Sequence, residues 1–370
     1  MQKFFRVYIL PGLIFQSVVI GGGYATGREL IEFFYSSGPI GGILGLLVSG
    51  ITFGLSLALA FEFARLHKSH DYRLFCKALL GRFWIIYELA FLTLLILVLS
   101  VITSASEEII NSALGIESEL SILALAFLIG ILTFLGSTAI KQVLASWSIL
   151  LYLTYIAVFV ITYQDAEIVL AEVYTNAQIG DNWIVAGLMY SGYNLAVLPV
   201  VLFAVKSHNS IRHSFFSGAI AGFLAVIPAI LFFVTMMSQY PHIGSSDIPS
   251  LLVIESISLP FVSIVFQVVV LGTFIETGTA LLHAVNERIE SSLQEINKPL
   301  PQKLRPIISI TCLFLAVIFG SYMGIVDLIA KGYGFLTIIF ISVLILPLIS
   351  IGVYRIVQIH LRSRCKNNAL

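Results

Sequence analysis

Apolar runs long enough to cross a bilayer dominate the sequence, and they restrict the fold more than any motif does. A crossing helix needs roughly 20 apolar residues to span about 30 Å of hydrocarbon. Ten such runs can be read, at about 7–35, 40–63, 83–104, 121–140, 143–163, 182–205, 213–238, 258–285, 305–323 and 331–355. The gaps between them leave no room for an extramembrane domain. The runs are continuously apolar and lack the period-two alternation of barrel strands, so helices are expected. The opening MQKFFR resembles a signal peptide. It is read as the start of the first span, because the apolar stretch continues past its glycines into Leu30–Tyr35. Only 11% of residues are charged, whereas a soluble domain carries about 25%. The expected fold class is an all-α polytopic membrane protein with ten transmembrane helices and one domain.

Charge sorting orients these spans. With the N-terminus inside, the cytoplasmic segments hold 18 of the 20 basic residues, among them Lys3, Arg65, Arg73, Lys141, Lys206, Arg288, Lys298 and Arg355. The outer loops hold Glu107, Glu108, Glu117, Glu119, Asp165, Glu167, Glu172, Asp181, Asp247 and Glu255. Cationic loops resist translocation, so both termini are expected in the cytoplasm of a cell whose plasma membrane carries the protein. Basic and acidic residues balance at 20 each, so no net field favours nucleic acid.

Ten spans divide into repeat A (about 7–163) and repeat B (about 182–355), followed by a tail at about 356–370. An odd number per half makes the second half enter from the opposite side, the arithmetic of a 5+5 inverted repeat. Both halves open on an interrupted helix. Span 1 contains Gly21, Gly22, Gly23 and Tyr24; span 6 contains Tyr190, Ser191, Gly192 and Asn194, then Pro199. Each interior glycine costs a helix about 1 kcal/mol, so three in a row predict a break. Unpaired backbone at membrane depth persists where it lines a cavity, and matched breaks point to a transporter's binding site. Gly38, Gly41, Gly42 and Gly45 have small-xxx-small spacing and are read as packing positions.

Intramembrane charges are expensive, so each needs a partner or a task. Arg28 is expected in an ion pair bracing a helix start, with Glu29 placed to face the cavity or an outer gate. Glu32 is expected near the outer interface, Glu88 beside a cytoplasmic base, and Asp327 paired with Lys331. In span 8, Thr273, Glu276, Thr277, Ala280, His283 and Glu287 form one polar stripe. Glu276 lies about 24 Å along that helix from Pro260, in the cytoplasmic half of the membrane. A carboxylate with flanking hydroxyls there suits Na⁺ or a proton. No HExxH, GxSxG or P-loop pattern is present, so neither catalysis nor ATP-driven transport is expected. Cys76, Cys312 and Cys365 form no disulfide framework or metal motif.

The segments GGGYATGREL and TFIETGTALLHAVNERI resemble the YkvI-type membrane proteins, a family viewed as amino-acid permeases. More remotely the chain is similar to the amino acid–polyamine–organocation superfamily, which includes the sodium-coupled symporters of LeuT-like fold. The resemblance implies substrate contacts from Gly21, Gly22, Gly23, Tyr24, Tyr190, Ser191, Gly192 and Asn194. It implies a sodium site joining span 1 carbonyls to Thr273 or Thr277. Glu276 between those threonines departs from the symporters, leaving Na⁺, H⁺ or no coupling ion open and favouring a cationic substrate. The expected function is secondary active transport of an amino acid or a small amino-acid-like or organic cation solute, by alternating access and with cation coupling. A non-transporting amino-acid sensor of germinant-receptor type is the alternative. No cofactor is expected beyond the coupling ion, and the expected partners are a small solute and the lipid bilayer.

Overall fold

The computed structural model describes residues 2–114, 118–135, 137–257, 259–294, 301 and 303–367. Glu117 and Lys298, with the side chains of Glu119, Lys141, Arg364 and Lys366, lie outside the described residues. Among the described residues the chain is helical with no strand. Among the described residues, seven stretches are long and apolar enough to cross a membrane: Arg28–His67, Tyr72–Ser112, Ser146–Asp165, Trp183–Val205, Ile211–Gln239, Pro260–Glu290 and Tyr322–Arg362. Two shorter apolar helices are Ile122–Thr133 and Leu304–Gly320.

The difference from ten runs has a local cause. The first run is in pieces: Leu10–Val19, Gly22–Ala25 and Arg28–Phe34. The fourth and ninth runs correspond to the two shorter apolar helices. Gly38, Gly81 and Gly324 have φ of +75°, +58° and +70°, a conformation a side chain disfavours. Each of these turns the chain within one of the three longest stretches. Gly38 separates the end of the broken first run from the Gly38–His67 helix. Gly81 separates the Tyr72–Leu80 helix from Trp84–Leu114. Gly324 interrupts Leu304–Asp327.

Without a hydrophobic drive between helices in lipid, small residues must let backbones approach closely. The Gly38–His67 and Ile211–Met236 helices pack in this way. A Cβ on Gly222 would lie 2.3 Å from the Gly54 amide nitrogen, and one on Gly218 the same distance from that of Ala58. Gly42 abuts the Phe233 ring and Gly45 the Phe34 ring, so both serve as packing positions. On the other side of the molecule Ser100 donates to the Ala316 carbonyl, 2.8 Å away, tying Trp84–Leu114 to Leu304–Asp327.

Basic side chains collect at one end. Arg73, Lys77 and Arg288 all lie within 5.7 Å of the Trp84 ring centre, and Arg288 pairs with Glu88 at 2.6 Å. Arg355 donates to the Ala78 carbonyl, and His360 meets Glu62 at 2.9 Å. His208 meets the Val7 carbonyl at 3.0 Å, so the N-terminal segment reaches this end too. The segment read as a tail continues as helix through Asn367. Glu107, Glu108 and Asp247 gather elsewhere, near one another.

Candidate functional site

The centre of the molecule is organised by the broken first helix. Leu10–Val19 ends at Ile20 (φ −76°, ψ 79°), Gly21 is extended, and the Gly22–Ala25 turn follows. In an unbroken helix the Gly21 amide would donate to the Ser17 carbonyl and the Tyr24 amide to that of Ile20. Here the Gly21 amide turns to Val19 at 2.8 Å, and the Tyr24 amide lies beside the Glu29 carboxylate. Two buried carbonyls are thereby freed. The Thr277 hydroxyl, from Pro260–Gln294, lies 3.1 Å from both Ser17 O and Ile20 O. One hydroxyl proton cannot satisfy two acceptors, so oxygen capacity remains.

Glu276, next to this threonine, is buried at 1% exposure. Neither carboxylate oxygen has a hydrogen-bond partner among the described residues, and Ser17 is its polar neighbour. A partnerless carboxylate in a dry interior is costly, so this place suits a bound cation or proton. Thr273 does not reach the first helix; its hydroxyl bonds Val269 of its own helix at 2.7 Å.

On the other side of Gly21 lies a cavity of about 20 Å³, room for roughly one water. Gly21, Gly22, Glu29, Tyr193, Asn194 and Tyr333 contribute to its lining, with apolar residues such as Val18 and Leu94. Glu29 is 3% exposed and accepts a hydrogen bond from the Tyr193 hydroxyl. It folds back over the break because residue 23 has no side chain: a Cβ there would lie 2.5 Å from Glu29 Oε1. Tyr193 stacks on Tyr333 at 4.7 Å and on Phe33 at 5.7 Å. Trp183–Asn194 continues through Leu195–Val205 as a tighter 3₁₀ helix containing Pro199. Asn194 thus marks a change of helical pitch opposite the first break.

Of the residues singled out in the sequence, Gly21, Gly22, Glu29 and Asn194 line this cavity. Gly23 supports Glu29 from behind. Tyr24 and Tyr190 are buried, with hydroxyls lacking hydrogen-bond partners among the described residues. Ser191 bonds back to Gly187 at 2.8 Å, and Gly192 packs on Thr337 and Ile341. Glu276 and Thr277 stand together with Ser17, whereas Thr273 turns away. Arg28 pairs with Glu32 at 2.9 Å, and Asp327 with Lys331 at 3.0 Å. Sequence reasoning misses Tyr193 and Ser17 here; it reads Tyr333 as polar enough to line a cavity but more commonly packed. Tyr193 sits inside the span 6 motif and carries that signal; Ser17 carries none that separates it from packed residues.

No protein-family model matches the chain. Over 347 residues it is 22% identical to the uncharacterized membrane protein YkvI of Bacillus subtilis (strain 168), covering 90% of this chain and 93% of that protein. Among solved structures it is similar to a Na⁺-coupled sialic acid symporter in a substrate-bound outward-open state. The TM-score is 0.69 at 13% identity, over 90% of this chain and 77% of the other. MhsT in complex with L-phenylalanine gives 0.63 at 16% identity, over 95% and 98%. A manganese transporter of Eremococcus coleocola gives 0.64 at 15% identity, over 94% and 79%. At these identities the structural likeness establishes the fold. The chain therefore has the LeuT-like fold, and its sequence likeness to the YkvI-type membrane proteins spans 90% of its length.

Proposed function

We propose that this protein is a secondary active transporter that moves an amino acid or a small amino-acid-like or organic cation solute by alternating access. The observation that carries the reading is the Thr277 hydroxyl reaching the two carbonyls freed at the break, beside the partnerless Glu276. In this reading Thr277, Glu276 and the carbonyls of Ser17 and Ile20 hold the coupling cation, Na⁺ or a proton. All these donors are oxygens, which suits a hard cation. A bound cation relieves the buried carboxylate and draws the first helix towards Pro260–Gln294, biasing one conformation over the other. The break lets Leu10–Val19 and Arg28–Phe34 tilt separately, so solute can be reached from either side in turn.

The same reading takes the chain as ten spans in two inverted halves, about 7–163 and 182–355, with both termini cytoplasmic in a plasma membrane. Each half then opens on a helix interrupted beside the cavity. The second helices of the two halves, Gly38–His67 and Ile211–Met236, pack on each other through glycines. A transition-metal cargo is not favoured, because among the described residues no three His, Cys, Asp or Glu side chains come together. Solved proteins of this fold are named as symporters and transporters, which favours transport over sensing.

A thermal-shift screen of amino acids and amines, with Na⁺ and pH varied, tests the reading. The expected result is a solute whose stabilisation depends on Na⁺ or on pH and which exchanges across proteoliposomes. A solute that binds and never exchanges would contradict transport.

A further inference from the structure

Glu29 is the buried carboxylate that the coupling scheme does not use. It folds back so that it accepts from the Tyr193 hydroxyl and lies beside the Tyr24 amide, and it lines the central cavity. Among the described residues no cationic side chain pairs with it. Arg28, its neighbour in sequence, points elsewhere: to Glu32 at 2.9 Å, the Ser246 carbonyl at 3.1 Å and the Gly244 carbonyl at 3.5 Å. The Tyr24 amide, which the break releases, thus already faces a carboxylate belonging to the protein.

We infer that the transported solute is an organic amine, or an equivalent organic cation, that carries no carboxylate of its own. The inference rests on the transporter reading and narrows its substrate class. The remaining polar groups agree with it. Asn194 spends its Nδ2 on the Tyr190 carbonyl at 3.0 Å, leaving its oxygen to accept, which matches a donor-only ammonium. Tyr193 and Tyr333 stand beside Glu29 in the cavity lining, and aromatic walls suit an organic cation better than a second anion. A zwitterion would bring a second carboxylate next to Glu29, where like charges in a dry site repel strongly. An amine instead supplies the counter-charge that Glu29 lacks. In this structure the Tyr193 hydroxyl donates to Glu29 as the ammonium would, so binding exchanges one donor for another.

Matched pairs test this on the purified full chain: isoamylamine with leucine, tyramine with tyrosine, putrescine with ornithine, and ethanolamine with serine. Binding is read by thermal shift and calorimetry, and exchange by counterflow in proteoliposomes. At least one amine is expected to bind about tenfold or more tighter than its amino acid. Glu29→Gln, which keeps size and hydrogen bonding, is expected to weaken that amine at least about tenfold. Glu32→Gln, which removes a carboxylate outside the cavity, is expected to leave it unchanged. If Glu29→Gln does not fold, the paired comparison on the unaltered protein decides alone. An amino acid that binds as tightly as its amine overturns the inference. So does the failure of all four amines to bind, or an unchanged affinity in Glu29→Gln. Amino acids that exchange while amines do not would overturn the inference and leave transport standing. An amine that binds through Glu29 without exchanging would support the cation site and overturn transport.

Discussion

The hydroxyl of Thr277 lies 3.1 Å from the carbonyl oxygen of Ile20, joining two helices at the point where the first of them stops. The bond crosses 257 positions of sequence, and it forms because the break removes the Tyr24 amide from Ile20.

Thr277→Val removes this donor and leaves two buried carbonyls without it, at a cost of about 1–3 kcal/mol. Its melting temperature should fall, and any stabilisation by Na⁺ or by acid should disappear. Thr273→Val should change both far less, since that hydroxyl serves only its own helix. Melting curves of the two variants across Na⁺ concentration and pH check this.

The glycines of the break should tolerate no bulk. A Cβ on Gly22 would already lie 3.0 Å from the backbone nitrogen of Ile102, so Gly22→Leu should insert yet lose solute binding. Gly23→Ala should displace Glu29 and weaken binding at least about tenfold. Asn194→Ala should have a smaller effect, through loss of one acceptor. Calorimetric titration of the three variants with the same solute gives the ranking.

Sidedness can be read by thiol labelling. Asp181→Cys and Asp247→Cys replace exposed residues and should react with an impermeant reagent added to intact cells. Lys68→Cys and Arg212→Cys, also exposed, should react only after permeabilisation. Cys76 is fully buried, so its protection would report packing and not sidedness. The reverse labelling pattern would sink the cytoplasmic placement of the termini.

Acid should loosen the end where the N-terminal segment is tied down. Burial pushes the His208 imidazole down to about 4, His213 and His70 push the same way, and the Val7 carbonyl opposes them. The unfolded imidazole titrates near about 6.5. Between those values the unfolded chain binds the extra proton, so the contribution is complete above about pH 6.5 and is lost as pH falls towards 4. By pH 5 the loss amounts to about 2 kcal/mol. The drop in melting temperature from pH 7.5 to pH 5 should be smaller in His208→Gln, whose amide still donates to Val7. An equal drop would remove His208 from the account.

The membrane class and the helical fold were legible because apolar length is a property of each segment alone. The glycine run was legible for a similar reason: Gly21–Gly23 break a helix whatever surrounds them. What the break does with its freed groups was only half legible. Glu29 and Glu276 stand out as charges in apolar runs, so the sequence marks them. Their surroundings come from far away: Ser17 meets Thr277 across 260 positions, and Tyr333 meets Tyr193 only through the packing of the last long helix. Thr273 shows the converse. It shares the polar stripe, yet sits one turn too far along to reach the break, and its hydroxyl closes on Val269. Glu62 lies at the edge of an apolar run, where a carboxylate carries no signal of its own; it is fully buried between Arg65, at 2.5 Å, and His360.

The most direct test of the account is made on Glu276→Gln reconstituted in liposomes, using the solute that stabilises the unaltered protein. Glutamine keeps the size and hydrogen-bonding capacity of Glu276 while removing its charge, so helix packing should survive. Gradient-driven uptake and counterflow are measured on the same preparation. The account predicts that concentrative uptake collapses while counterflow exchange persists. Uptake and counterflow both at the level of the unaltered protein would contradict it.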